Sequence, residues 1–153
     1  MNQIKINIEK ACKAANIDYI EGDLVEICGK LNKEKEVKND IYPKCINFFT
    51  TDLLEDELGY QSADVKLLFV MKTRLEYNNK QRSQETFPTL YAKIQIFEQF
   101  IEFNSLVIAK KLTELQKVNS SLQVNDKPAL TFDNLDGILL KFNYKTLKSE
   151  CDA

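Results

Sequence analysis

The chain has no histidine, no tryptophan, two arginines, four glycines and three prolines in 153 residues. Without histidine the commonest general base, the commonest metal ligand and the usual switch near neutral pH are all missing. Ser-His-Asp, Cys-His and histidine-based zinc chemistry are therefore excluded. The glycines at 22, 29, 59 and 137 are isolated from one another, so no glycine-rich loop can cradle a phosphate. No apolar run approaches the roughly 20 residues of a membrane helix. The segment Met1-Asn2-Gln3-Ile4-Lys5 lacks an apolar signal core, and the chain is expected to remain in the cytoplasm of the cell that makes it.

The net charge of −2 is no footprint for non-specific nucleic-acid binding, which needs a basic face. Hydrophobic residues make up 44% and charged residues 29%, an ordinary globular balance. The length suits one domain, burying roughly two thirds of the surface of the unfolded chain. Cys12, Cys28, Cys45 and Cys151 have wide, unrelated spacings. No paired thiolate motif exists, and buried reduced thiols acting as small hydrophobes are expected. Nineteen lysines to two arginines, with thirteen asparagines, reflect AT-rich codons.

Periodicity supplies the elements. Ile4, Ile8, Cys12 and Ala15 predict a helix over 3–15, stopped at Asn16, with an extended piece from Ile17 to Ile20. Leu24, Ile27, Cys28 and Leu31 predict a shorter helix. Residues 32–40 read as a charged loop, and Ile41–Thr50 as a strand with Pro43 at its start. Val65–Met71, the most apolar stretch, reads as a central strand. Pro88 opens a helix through Leu90, Tyr91, Ile94, Phe97 and Ile101. Phe100 and Phe103 widen its stripe, and the aromatic row from Phe87 to Phe103 reads as core. The helical pattern extends through Leu106–Leu115, with Asn104-Ser105 as an interruption. Ser121–Asn125 and Ile138–Lys145 read as strands; the first is ended by Pro128 and the second opened by Gly137, read as a turn residue of positive φ. The expected fold is one α+β domain over 1–147, with about four mostly antiparallel strands, helices packed on the sheet, and a short tail at 148–153.

No constellation of catalytic, cofactor-binding or metal-ligating residues emerges, and the chain is not expected to be an enzyme. The run Asp52, Glu55, Asp56, Glu57 lacks the spacing and turn glycine of a calcium loop. It reads as an acidic connector, whereas Lys72, Arg74, Lys80 and Arg82 make the following loop basic. These eight residues read either as two solvated loops or as two complementary patches. In a head-to-tail ring, two such patches would meet at every interface.

Three segments carry a resemblance. They are Tyr42-Pro43-Lys44-Cys45-Ile46-Asn47-Phe48-Phe49; Leu67 to Thr73, running on through Glu76 to Arg82 and Phe87 to Tyr91; and Asp133-Asn134-Leu135-Asp136-Gly137 with the alternating strand that follows. In this order the chain resembles small tail-terminator and neck proteins of tailed phages of Bacteroidetes, including the crAss-like phages. The resemblance implies an α+β subunit that closes into a ring of identical copies between portal and tail. It would be made in the cytoplasm of the bacterial host and be located in the virion. Its partners would be the portal, other neck-ring and tail proteins, and DNA passing through the lumen without specific binding, with no membrane and no cofactor. The other class compatible with a small acidic α+β domain without motifs is an inhibitor, such as an immunity or antitoxin protein.

Overall fold

The computed structural model describes residues 3–22, 27, 30, 43–50, 54–55, 58–72, 79–103, 105–115, 123–124, 127–128 and 135–147, with the backbone alone at 48–50, 54, 79, 82–83, 123–124 and 127–128. Helix α1, Gln3–Ala14, buries Ile4, Ile8, Ala11 and Cys12 at helical spacing. It stops as the sequence predicts. Asn16 takes φ 58, the Ile17 N–H donates to the Cys12 carbonyl at 2.8 Å, and the Asn16 N–H donates to the Lys13 carbonyl at 3.1 Å. This left-handed cap satisfies two of the helix's last carbonyls.

The strands are β1 (Asp18–Glu21), β2 (Lys44–Thr50), β3 (Leu54–Glu55), β4 (Tyr60–Lys72), β5 (Ser105–Leu115), β6 (Gln123–Val124), β7 (Lys127–Pro128) and β8 (Leu135–Leu147). The main sheet runs β1-β2-β4-β8-β5, with β3 also pairing β4, and β6 and β7 form a separate hairpin. Only β1–β2 is parallel within the main sheet. The α+β class holds, but the expectation of about four strands falls short. Leu106–Leu115 is strand β5 rather than a helical extension, and Leu54–Glu55 is a strand within the acidic connector. Val107 and Ile108 are β-branched, and β5 pairs with β8 from Ser105↔Thr146 to Leu115↔Gly137. Long-range pairing here overrides a local spacing that also fits a helix.

Helix α2, Phe87–Ile101, carries proline in its first turn. A helical turn at Asn79–Gln81 and a π turn at Arg82–Thr86 lead into it. Both α1 and α2 pack on one sheet face. Period-two alternation sends Ala63, Val65, Leu67 and Phe69 of β4, and Ile138, Leu140, Phe142 and Tyr144 of β8, under the helices. Leu90, Ile94, Phe97 and Ile101 come down from α2, and Phe97 meets Phe69 edge to face at 5.1 Å, the geometry the ring quadrupoles favour. Cys12 and Cys45 are buried, reduced neighbours within this core. Burial first, then the contact with Cys12, pushes the Cys45 thiol up, so it stays protonated and inert.

On the opposite face, described residues form a smaller cluster at one end: Ile20, Ile27, Ile46, Leu68, Val70 and Leu135. Gly137 lies there inside β8, opposite Val70, and does not take the positive φ of a turn. A Cβ on it would stand 3.0 Å from the Phe69 carbonyl oxygen, so close strand approach is what requires glycine. Of the predicted helix at 24–31, only Ile27 and Lys30 are described, both helical. The 32–40 loop and the 148–153 tail lie outside the described residues.

Candidate docking surface

The exposed large apolar side chains among the described residues are Leu58, Tyr60, Ile96, Phe100, Phe103, Leu106, Ile108 and Leu147. Five of the eight, Tyr60, Ile96, Phe100, Phe103 and Leu147, line one groove, whereas Leu106 and Ile108, opposite Lys145 and Asn143, lie on the other face of the sheet. The topology explains the gathering of the five. Tyr60 opposes Leu147 where β4 begins and β8 ends, and Ser105 at the start of β5 opposes Thr146. Leu58 precedes β4, and the end of α2 feeds β5. On α2, positions 96 and 100 start a second stripe, about 100° around from the stripe that meets the sheet, and Phe103 in the turn just after the helix extends it. Phe103 is 76% exposed and Phe100 44%. The expectation that the whole aromatic row is core therefore fails for these two: Phe87 and Phe97 are buried and Tyr91 is half-buried. An apolar arc wider than one sheet contact was the signal that could have marked the surplus stripe.

Between this stripe and α1 lies a groove of about 860 Å³. Its floor is a neutral hydrogen-bonded chain. The Gln3 side-chain amide donates to Asn7 Oδ1 at 2.8 Å, and Asn7 Nδ2 donates to Tyr144 OH at 3.0 Å and to Thr146 Oγ1 at 3.3 Å. Tyr144 OH donates to Ser105 Oγ at 3.0 Å, and Ser105 Oγ donates to Thr146 Oγ1 at 3.1 Å. These bonds satisfy the buried phenol and tie α1 to β8 and β5. At the far side the Gln3 N–H donates to Gln61 Oε1 at 2.8 Å, and Gln61 Nε2 donates to Glu55 Oε1 at 2.9 Å. The groove offers polar anchoring and an apolar rim, with no charged lining residue among those described.

The rim continues onto an edge. Strand β5 pairs β8 on one side and no described strand on the other. Register shifts between Ile108 and Lys111, with Ala109 at φ 55, and this bulge divides the edge. Lys110 stands in the bulge and Lys111 just beyond it. Lys110 Nζ meets Glu98 Oε2 at 2.6 Å and Glu102 Oε1 at 3.5 Å, and its pKa is raised chiefly by the Glu98 hydrogen bond. Bulges and lysines are the usual guards of a strand edge. The upstream half, Ser105–Ile108, has neither.

Glu55 sits on β3 opposite Gln61, whereas Lys72 ends β4 opposite Leu135. Eleven residues of extended strand put them about 36 Å apart. Lys80 is exposed on the turn before α2, and the backbone of Arg82 lies in the π turn. Asp52, Asp56, Glu57 and Arg74 lie outside the described residues. The described acidic and basic markers thus stand at opposite ends of β4 and do not meet within one copy.

A second polar cluster lies at β1 and β2. Lys44, fully buried, bonds Asp18 Oδ2 at 2.7 Å. Tyr19 OH donates to Glu21 Oε2 at 3.0 Å and accepts from Asn47 Nδ2 at 2.9 Å. Burial is the main cause raising the Tyr19 pKa above its ordinary value. The buried Oδ1 of Asn47 has no hydrogen-bond partner; it lies where the β2–β4 register shifts between Ile46 and Phe49. Among the described residues no group of three or more His, Cys, Asp or Glu is placed to hold a metal, and no helix is long and apolar enough to cross a membrane. No family model matches the chain, and no curated protein matches it.

Proposed function

We propose that this protein is a structural subunit that assembles with copies of itself into a ring: a head–tail connector or tail-terminator-like component of a phage neck. The carrying observation is the gathering of five exposed large apolar side chains, Tyr60, Ile96, Phe100, Phe103 and Leu147, along one groove, close to the half of the β5 edge that pairs with no described strand and carries neither bulge nor lysine. Apolar side chains clustered in this way beside polar anchoring groups mark an interaction surface. Burying the exposed parts of these five contributes about 5–7 kcal/mol, comparable to the lower range of association costs. The surface therefore becomes a lasting interface only when it is repeated or joined by strand pairing, and a closed ring supplies both. Acidic and basic markers at opposite ends of β4 suit a head-to-tail contact, in which charge sets register more than affinity. The ring would join portal to tail, dock other neck and tail proteins on its two faces and pass DNA through its lumen in the virion.

Negative-stain imaging and mass measurement of the purified chain test this reading. Closed rings of one stoichiometry are expected. A strict monomer that instead binds one foreign protein tightly and one to one through the apolar end would replace the ring with an inhibitor of the immunity or antitoxin kind.

A further inference from the structure

We infer that the upstream half of the β5 edge joins two copies of the chain, each adding its β5 as an antiparallel strand to the other's sheet, with Val107 on the two-fold axis. The contact closes on itself. It is therefore distinct from the head-to-tail contact of a ring and does not rest on that reading.

The backbone of the edge is the first observation. Among the described residues, Ser105 to Ile108 pair with β8 alone, and the further hydrogen bonds there belong to the Ser105 hydroxyl. Such an edge presents unpaired N–H and C=O groups to a strand laid beside it. The side chains are the second. Leu106 is 54% exposed and Ile108 48%, on the face away from the helices, where they stand opposite Lys145 and Asn143. Neither joins an apolar cluster of the fold. With β-branched Val107 between them they favour a strand, yet they stay half uncovered within one copy. The third is the length of the free stretch. Ala109 takes φ 55 and the register shifts before Lys111, so the bulge and the lysines close the edge beyond this point.

The order of side chains selects a second copy as the added strand. Residues opposed in an antiparallel pair share a face. With Val107 opposite itself, Leu106 opposes Ile108 of the second copy and Ile108 opposes its Leu106. Both apolar pairs then lie on one face and cover each other. The two sheets run on into one, with the helices of both copies on the same side. A slip of one residue would set Leu106 against Val107, which belong to opposite faces. A slip of two sets Leu106 against Lys110 in one direction, and in the other carries Ile108 past the start of the strand. The Val107 register alone opposes apolar to apolar twice.

The test reads that register by thiol linking of the full-length protein with diamide, which takes up the two hydrogens as two thiols join. At the axis the Cα atoms stand about 4.5–5.5 Å apart, within the span of a disulfide. Val107→Cys should therefore give a linked dimer on a denaturing gel, above the wild-type level set by the native cysteines. Leu106→Cys alone places its thiols on a diagonal of about 7–8 Å and should link roughly tenfold more slowly. Leu106→Cys combined with Ile108→Cys should restore fast linking. In sedimentation equilibrium, Ile108→Lys should weaken the dimer by about tenfold or more, since a charge blocks an edge. Its unfolding midpoint should stay near wild type, because the side chain is half exposed.

Val107→Cys linking no faster than wild type, or no faster than Leu106→Cys, would overturn the inference. A dimer unchanged by Ile108→Lys would overturn it as well. Rings that persist while Val107→Cys fails to link leave the ring reading and remove this contact. Dimers linked through Val107→Cys without rings do the reverse.

Discussion

At Gly137 an added methyl group would press on the Phe69 carbonyl at 3.0 Å, Leu68 Cδ1 at 3.1 Å and Val70 Cγ1 at 3.3 Å. One of these atoms is backbone in a central strand and cannot move aside cheaply. Gly137→Ala should therefore destabilise by about 1–3 kcal/mol, read from the urea unfolding midpoint at unchanged slope. Tyr19 gives a pH signature. Its folded pKa is raised, so above pH ~10 the unfolded phenol loses its proton while the folded one keeps it. Stability should hold below that pH and fall above it. Tyr19→Phe should shrink the alkaline loss, as followed by thermal unfolding between neutral pH and pH ~11. The alternation of Lys141, Asn143 and Lys145 is visible in the sequence as a wetter face, but their neighbours Lys66 and Lys111 are set by register, which no local pattern encodes.

Among the elements, α1, β2, the core of β4, the start of α2 and the end of β8 are legible from spacing, because each buries a regular stripe. Strand β5 is not. Leu106, Ala109, Leu112 and Leu115 fit a helix as well as Val107 and Ile108 fit a strand, and the decision falls to pairing with β8. The bulge at Ala109 is a consequence of that pairing. It takes a left-handed conformation that costs a non-glycine residue about 1 kcal/mol. Ala109→Gly should therefore be neutral or stabilising by up to about 1 kcal/mol, where most alanine-to-glycine changes in a strand destabilise. Differential scanning of the two proteins checks this. The second stripe of α2 was legible as apolar but not as exposed. Its exposure depends on where the helix leaves the sheet, since Phe97 and Ile101 reach the core while Phe100 and Phe103 point past its end. Of the charged residues picked out in the sequence, Glu55 and Lys72 mark the two ends of β4, and the apolar groove at the Glu55 end is a property of the assembled sheet.

At the scale of the whole molecule, helices cover one face of the sheet, and among the described residues an apolar groove and a partly guarded edge are left exposed within a single copy. If charge complementarity sets the register between copies, reversing Arg74 and Arg82 to Glu should weaken assembly at low salt and matter less at high salt, as sedimentation would record. The apolar end should matter at every salt. Phe103→Ser removes the exposed ring just after α2 without touching the core, so thermal stability should stay within about 0.5 kcal/mol of wild type. The decisive measurement is sedimentation velocity of wild type and Phe103→Ser over a range of concentrations. The account predicts a discrete ring-sized species for wild type and loss of that species, towards the 17.7 kDa chain, for the variant. Wild type sedimenting as a single 17.7 kDa species at every concentration, or a variant that assembles as wild type does, would contradict it.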